Sequence, residues 1–138
     1  MILWVDDDIL ASLRPFVEEL QDNKYLVEFA KNPDEMWSKI KNSRKAINGI
    51  IMDIMMPTGS SIKSTDAEMG LSTGLILLKQ LKEDHALKET PILIFTIVDK
   101  EEVYDWANEN GIQILKKQEV LPFELVEKII ELGVEHDG

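Results

Sequence analysis

Asn48-Gly49-Ile50-Ile51-Met52-Asp53-Ile54-Met55-Met56-Pro57 is a run of apolar residues of strand character that leads straight into a single carboxylate and is then stopped by Pro. A short continuous apolar run, bounded by Gly before and Pro after, reads as a strand buried on both faces. That is the usual condition of a central strand in a parallel sheet. Asp53 therefore stands at the carboxyl end of that strand. In open α/β sheets, ligands bind in the crevice outside the carboxyl ends of the strands, so an acid there is a candidate for chemistry as well as for capping a turn.

The rest of the chain bounds what this strand belongs to. Its 138 residues, 44% hydrophobic, suffice for one domain with one core, and residues 1–138 are read as a single domain. A formal net charge of −11 sets the surface against phosphate backbones and anionic lipid, which argues against direct nucleic-acid binding and membrane association. With no Cys there is no disulfide framework, thiolate metal site or thiol nucleophile. The apolar runs are far short of a membrane span, and Asp6 arrives before any signal-peptide core forms, so a cytoplasmic protein is expected.

Outward from the central strand, the same grammar repeats. Met1-Ile2-Leu3-Trp4-Val5 is a first buried strand that runs into Asp6-Asp7-Asp8. Leu10, Leu13, Val17 and Leu20 have helical spacing, with Pro15 requiring either a late start after Ser12 as N-cap or a bend. Residues 25–30 alternate as a strand, and Asn32-Pro33-Asp34-Glu35 supplies an N-cap, a Pro at the first helical position and first-turn acids. Residues 58–72 are rich in Ser, Thr and Gly and read as a long inserted loop that little holds in one conformation, either a mobile flap beside the pocket or a tolerated surface insertion with no role. Helical pattern resumes at Gly74. Strands follow at 91–96, ending in Thr96, and at 112–116, ending in Lys116, with helices at 100–110 and around Leu121, Leu125 and Ile129. Tyr104 and Trp106 read as local packing or a docking surface, and His85 and His136 as surface residues.

Strands alternating with helices, joined by right-handed crossovers, require a parallel sheet covered on both faces. All strand carboxyl ends then share one edge. Topology alone thus brings Asp6, Asp53, Thr96 and Lys116 together from across the chain. Asp6, Asp7 and Asp53 crowded at such an edge repel one another, and a hard divalent cation, Mg²⁺ by preference, relieves the repulsion. A hydroxyl and an ammonium added to that metal suit a phosphoryl group, and a carboxylate nucleophile can carry it as an acyl phosphate.

These residues, in this order at strand ends, make the chain resemble the response-regulator receiver domains of two-component signalling. The motifs are Leu3-Trp4-Val5-Asp6-Asp7, Met52-Asp53-Ile54-Met55-Met56-Pro57, Phe95-Thr96 and Leu115-Lys116. The resemblance implies a flavodoxin-like three-layer (βα)5 fold with a parallel five-stranded sheet of order 2-1-3-4-5. It implies Asp53 as phosphoacceptor, Thr96 and Lys116 as contacts to the phosphoryl group, and Mg²⁺ held by Asp6, Asp7, Asp53 and the backbone carbonyl of Met55. Its partners would be a sensor histidine kinase or a histidine phosphotransfer protein, a downstream protein, and a second copy through the helix 4, strand 5, helix 5 face. Chemistry beyond self-catalysed phosphorylation and dephosphorylation is not expected.

The chain also departs from the family. Lys117 follows Lys116 where receivers carry Pro, and reads as a solvated neighbour unless the register slips by one. Gln113 stands where they carry Tyr or Phe, and Ile97 is bulky where a small residue is usual. Pro57 to Gly74 spans 74 − 57 = 17 positions, far more than usual. Two other readings are a receiver-like binding module that no longer uses phosphorylation and, from Asp6-x-Asp8, a haloacid-dehalogenase-like phosphatase.

Overall fold

The computed structural model describes residues 1–8, 12–60, 62, 63, 67, 70 and 72–137. Leu10, which the sequence placed on the first helical stripe, and residues 61, 64–66, 68, 69 and 71 of the long loop lie outside them. Strands and helices alternate as β1 (Ile2–Val5), α1 (Arg14–Asp22), β2 (Val27–Ala30), α2 (Pro33–Asn42), β3 (Gly49–Met52), α3 (Thr73–Glu83), β4 (Ile92–Thr96), α4 (Glu101–Glu109), β5 (Gln113–Lys116) and α5 (Pro122–Glu131). All pairings are parallel, as the alternation requires, and the order is β2-β1-β3-β4-β5, as the resemblance implies. None of these helices is long and apolar enough to cross a membrane.

Two apolar layers sandwich the sheet, and residue parity along each strand sorts the side chains between them. Leu3, Val5, Ile50, Met52, Ile94 and Ile114 face one layer, with Leu75, Leu78 and Val103 from α3 and α4. Ile2, Trp4, Ile51, Leu93, Phe95 and Leu115 face the other, with Val17, Leu20, Leu125 and Ile129 from α1 and α5. In the second layer Phe95 takes Trp4 and Phe16 edge-on, with ring centroids 5.9 and 5.1 Å away.

Local chemistry sets the helix starts. Asn32 caps α2, its side chain accepting the Glu35 N–H at 2.9 Å, with Pro33 in the first turn. The Pro15 ambiguity resolves as a late start: Pro15 lies in the first turn of α1, where no intrahelical N–H is needed. Leu13, rather than Ser12, occupies the N-cap. Beyond α5, residues 134–137 run back to the start of β2. Val134 O accepts from the Tyr25 hydroxyl, the Asp137 carboxylate accepts the Leu26 N–H, and the Asp137 N–H donates to Lys24 O.

The long connection after β3 is held in several places, which corrects the expectation that little fixes it. Ile62 and Ala67 are buried in the α3 and α4 layer despite the polar composition around them. Gly70 O accepts the Met56 N–H at 3.0 Å, and the Thr73 hydroxyl donates to Met56 O at 2.7 Å. Gly70 has φ +99 and lies so close to Met56 O that a Cβ would stand 2.9 Å from it, which suits only Gly. Farther out, the Ser60 N–H and hydroxyl both donate to the Asp34 carboxylate at 2.9 Å, fastening the connection to the first turn of α2.

Candidate phosphoryl and metal site

Sheet register builds the site. Val5 pairs with Met52 across β1 and β3, so the residues that follow each, Asp6 and Asp53, emerge side by side. The ladder continues one bond farther, with the Asp53 N–H donating to Val5 O at 2.9 Å and the Asp6 N–H to Ala30 O at 2.9 Å. Both carboxyls are buried, whereas Asp7 is exposed at the rim. Each of Asp6, Asp7 and Asp53 offers an oxygen within 4.8 Å of the others.

Asp8 takes no part in this cluster. Its N–H donates to Asp6 Oδ1 at 2.9 Å, and its carboxylate accepts from the Ser12 hydroxyl at 2.8 Å. The Asp-x-Asp reading therefore lacks its second acid, which is turned to a local turn contact. Asp53 in turn accepts the Ile54 N–H at 2.7 Å. Beneath it, the Gly74 N–H donates to Ile54 O, and a Cβ at Gly74 would overlap the Asp53 carbonyl oxygen, so only glycine lets α3 approach the backbone at Asp53 this closely.

The cation at the site is Lys117 and not Lys116. Lys117 Nζ lies 2.7 Å from Asp6 Oδ2 and 3.0 Å from Asp53 Oδ2. Lys116 Nζ is 3.2 Å from Asp99 and 5.1 Å from the centre of the Tyr104 ring. Alternation explains the correction. Asp6, Asp53 and Lys117 share the parity of Trp4, Ile51 and Leu115, which face the α1 and α5 layer. Lys116 shares the parity of Ile114, which packs toward α3 and α4. That signal was present in the sequence. The one-residue shift it demands was hidden because the apolar run ends at Leu115 and makes Lys116 look terminal.

Thr96 is fully buried at the end of β4, in register with Lys116, and its hydroxyl accepts the Val98 N–H at 3.2 Å. A hydroxyl that accepts one bond keeps its own proton to donate. A cavity of about 250 Å³ opens over the carboxylates, lined by Asp7, Asp53, Met55, Ile97 and Lys117 with Leu13 and Phe16 on its apolar side. Met55 lines this cavity. Gln113 is exposed, and from α4 the Tyr104 ring faces the Lys116 ammonium at the end of β5.

Electrostatics mark this corner as strained in charge. Burial, and next the neighbouring Asp53 carboxylate, push the Asp6 carboxyl up to about 6 even though Lys117 pulls it down. Partial burial also raises Asp7. Burial works against the Lys117 ammonium, but Asp53 and Asp6 hold its pKa above the ordinary lysine value. Asp6 Oδ2, though close to that ammonium, is buried without a well-directed hydrogen bond. A buried carboxylate oxygen left without a directed donor, beside two further carboxylates, is the donor set a hard divalent cation takes, and Mg²⁺ fits it.

Comparison with protein-family models finds no match, and comparison with curated proteins finds none either. Solved structures do match. A chemotaxis protein of Vibrio cholerae, CheY4, is 26% identical over 95% of this chain and 96% of its own, with a TM-score of 0.71. The receiver domain of NtrX from Brucella abortus is 21% identical, covering 96% and 97% with a TM-score of 0.71. The signal receiver domain of a signal transduction histidine kinase from Syntrophus aciditrophicus is 21% identical, covering 99% and 93%, also with a TM-score of 0.71. The last two speak to the fold alone, while the chemotaxis protein adds sequence likeness along nearly its whole length. With five parallel strands in the order β2-β1-β3-β4-β5 and the acids gathered at their carboxyl ends, the chain has the fold of CheY-like response-regulator receiver domains.

Proposed function

We propose that Asp53 accepts a phosphoryl group from the phosphohistidine of a sensor kinase or histidine phosphotransfer protein, and that this switches binding to a downstream protein partner. An Asp53 carboxylate oxygen attacks phosphorus as the bond from phosphorus to the imidazole nitrogen breaks. The nitrogen keeps the electron pair, and Asp53 is left as an acyl phosphate. Lys117 provides a fixed positive charge beside the attacking oxygen and the incoming phosphoryl oxygens. Thr96 donates its free hydroxyl proton to a phosphoryl oxygen. Asp6, Asp7, Asp53 and the Met55 carbonyl would hold Mg²⁺, which would neutralise part of the charge of the phosphoryl oxygens.

The observation that carries this reading is the Lys117 ammonium seated between Asp6 and Asp53, with a third carboxylate at the rim. Such a site is built for one phosphoryl transfer and its reversal by water, and not for turnover of a separate substrate. The apolar rim of Leu13, Phe16, Met55 and Ile97 limits how water reaches the acyl phosphate. On this reading the domain works in the cytoplasm, and with a net charge of −11 it meets proteins rather than nucleic acid.

Intact mass after incubation with Mg²⁺ and acetyl phosphate, or with a phosphorylated histidine kinase, tests the proposal. The expected result is one base-labile phosphoryl group that is absent in Asp53→Ala. Failure to form an adduct with small-molecule and protein donors alike would overturn it.

A further inference from the structure

Between Met36 and Met52 the chain carries Lys39, Lys41, Arg44 and Lys45 and no Asp or Glu, although its net charge is −11. These cations lie at the end of α2 and in the turn before β3, at the amino ends of the strands and so at the end of the sheet opposite Asp53. Two cavities meet there. One of about 530 Å³ is lined by Lys39, Arg44 and Lys45 with Ser38 and Asn42, and the other of about 510 Å³ by Gln21 and Lys24 from the end of α1. Met1, Glu28 and Lys45 line both, so the two join into one groove across β2. The acids in the groove are already engaged. Glu28 accepts from Lys39 Nζ at 3.1 Å, and Asp137 pairs with the Met1 ammonium at 2.8 Å and accepts the Leu26 N–H. Arg44 is exposed and makes no salt bridge with a described residue.

The groove also reaches an open strand edge, with Val27 in its lining. β2 is the outermost strand and pairs with β1 alone. Leu26 O and Ala30 O accept from β1. In a parallel ladder alternate residues serve the same neighbour, which leaves the N–H and C=O of Val27 and Phe29 directed outward. We propose that this groove binds an extended acidic segment of a partner protein, which adds to the edge of β2 as a further strand while Lys39, Arg44 and Lys45 take its carboxylates. On a surface of net charge −11 an acidic segment is repelled elsewhere and attracted here, which gives it one place to dock. A second copy pairing through the same edge would set the basic patch against itself. A nucleic acid would carry its phosphates across a molecule whose remaining surface is acidic. The proposal stands apart from the phosphoacceptor reading, since Asp53 lies at the other end of the strands.

The test is titration of the isotope-labelled chain at low salt with a short capped peptide alternating Glu and Val, beside its Lys and Val counterpart and an oligothymidine of equal charge. With the acidic peptide, amide shifts are expected at Val27, Glu28, Phe29, Arg44 and Lys45, together with slowed hydrogen exchange of the Val27 and Phe29 N–H groups. Arg44→Glu, altered at an exposed side chain and so safe for folding, should weaken binding about tenfold, and Lys45→Glu should act in the same direction. The Lys and Val peptide should not bind. Absence of shifts in the groove with the acidic peptide overturns the proposal. Shifts without slowed exchange at Val27 and Phe29 overturn strand addition, and undiminished binding in both charge reversals overturns the role of the cations. Tighter binding of the oligothymidine than of the acidic peptide assigns the groove to nucleic acid and overturns the protein partner.

Discussion

Replacing Lys117 by Met keeps most of the stem and removes the charge, and the structure sets what that costs. Without the ammonium, Asp6 and Asp53 face each other with oxygens no more than 4.8 Å apart, a repulsion of about 3 kcal/mol at an effective dielectric near 20. The protein can escape part of it by protonating Asp6. That carboxyl already sits at about 6 with Lys117 present, against an ordinary 3.8. A folded-state value raised this way costs nothing below the unfolded value, and its cost grows until the pH passes the folded value. In the natural sequence the cost is complete above about 6. In Lys117→Met the folded value is higher still, so the cost keeps growing. At about pH 7.5, protonation from a folded value near 6 caps the extra loss at roughly 2 kcal/mol, and the cap shrinks toward zero as the pH approaches 6. Lys116→Met should cost about 1 kcal/mol or less at either pH, because its partner Asp99 is 77% exposed and well screened. Urea unfolding of both variants at the two pH values, without metal and then with Mg²⁺, is the assay. Mg²⁺ should return most of what Lys117→Met loses. A larger loss in Lys116→Met, or a Lys117→Met loss that does not change with pH, would refute the assignment of the site cation.

Asp7→Ala should weaken Mg²⁺ binding more than Asp8→Ala, whose carboxylate is engaged with Ser12, as followed by fluorescence of the buried Trp4 on the strand that carries Asp6; equal effects would contradict the cluster. Gly74→Ala should lower stability by about 2 kcal/mol or more, since its Cβ would run into the Asp53 carbonyl, and a melting curve matching the natural sequence would be the contrary result. Ile62→Ala should cost roughly 2–4 kcal/mol in chemical denaturation if the long connection is anchored in the core, where a loosely held flap would cost almost nothing. Ile97→Ala should shorten the life of a phosphoryl group on Asp53 by opening the cavity rim to water, and an unchanged decay rate in intact-mass time courses would count against that.

How much of this could be read from residues alone depended on whether the signal was local. Each apolar run ending in a polar residue marked a strand, and strand–helix alternation was enough for a parallel sheet and the shared edge of Asp6 and Asp53, while the strand order came from the family resemblance. The Asn32 cap and Pro33 start were equally local. Lys117 was misread because β5 does end at Lys116, whereas the site is built by the residue after each strand end, as with Asp6 and Asp53, and one residue reverses the face a side chain points to. The anchoring of the connection was hidden for a different reason. Ile62 and Ala67 are isolated among polar neighbours, and only the layer of α3 and α4 makes them core. Tyr104 looked like a surface aromatic until the lysine it faces was known.

The tail beyond α5 carries a consequence for the lifetime of the fold. Its bonds to Tyr25 and Leu26 join positions 109 and 111 residues apart, so they close only after the intervening sheet has assembled. Contacts of such separation contribute little at the folding barrier and are among those that must break on the way out. They slow escape from the native state without hastening arrival. The edge strand β2, with a partner strand on one side alone, is thereby latched by the segment that follows α5.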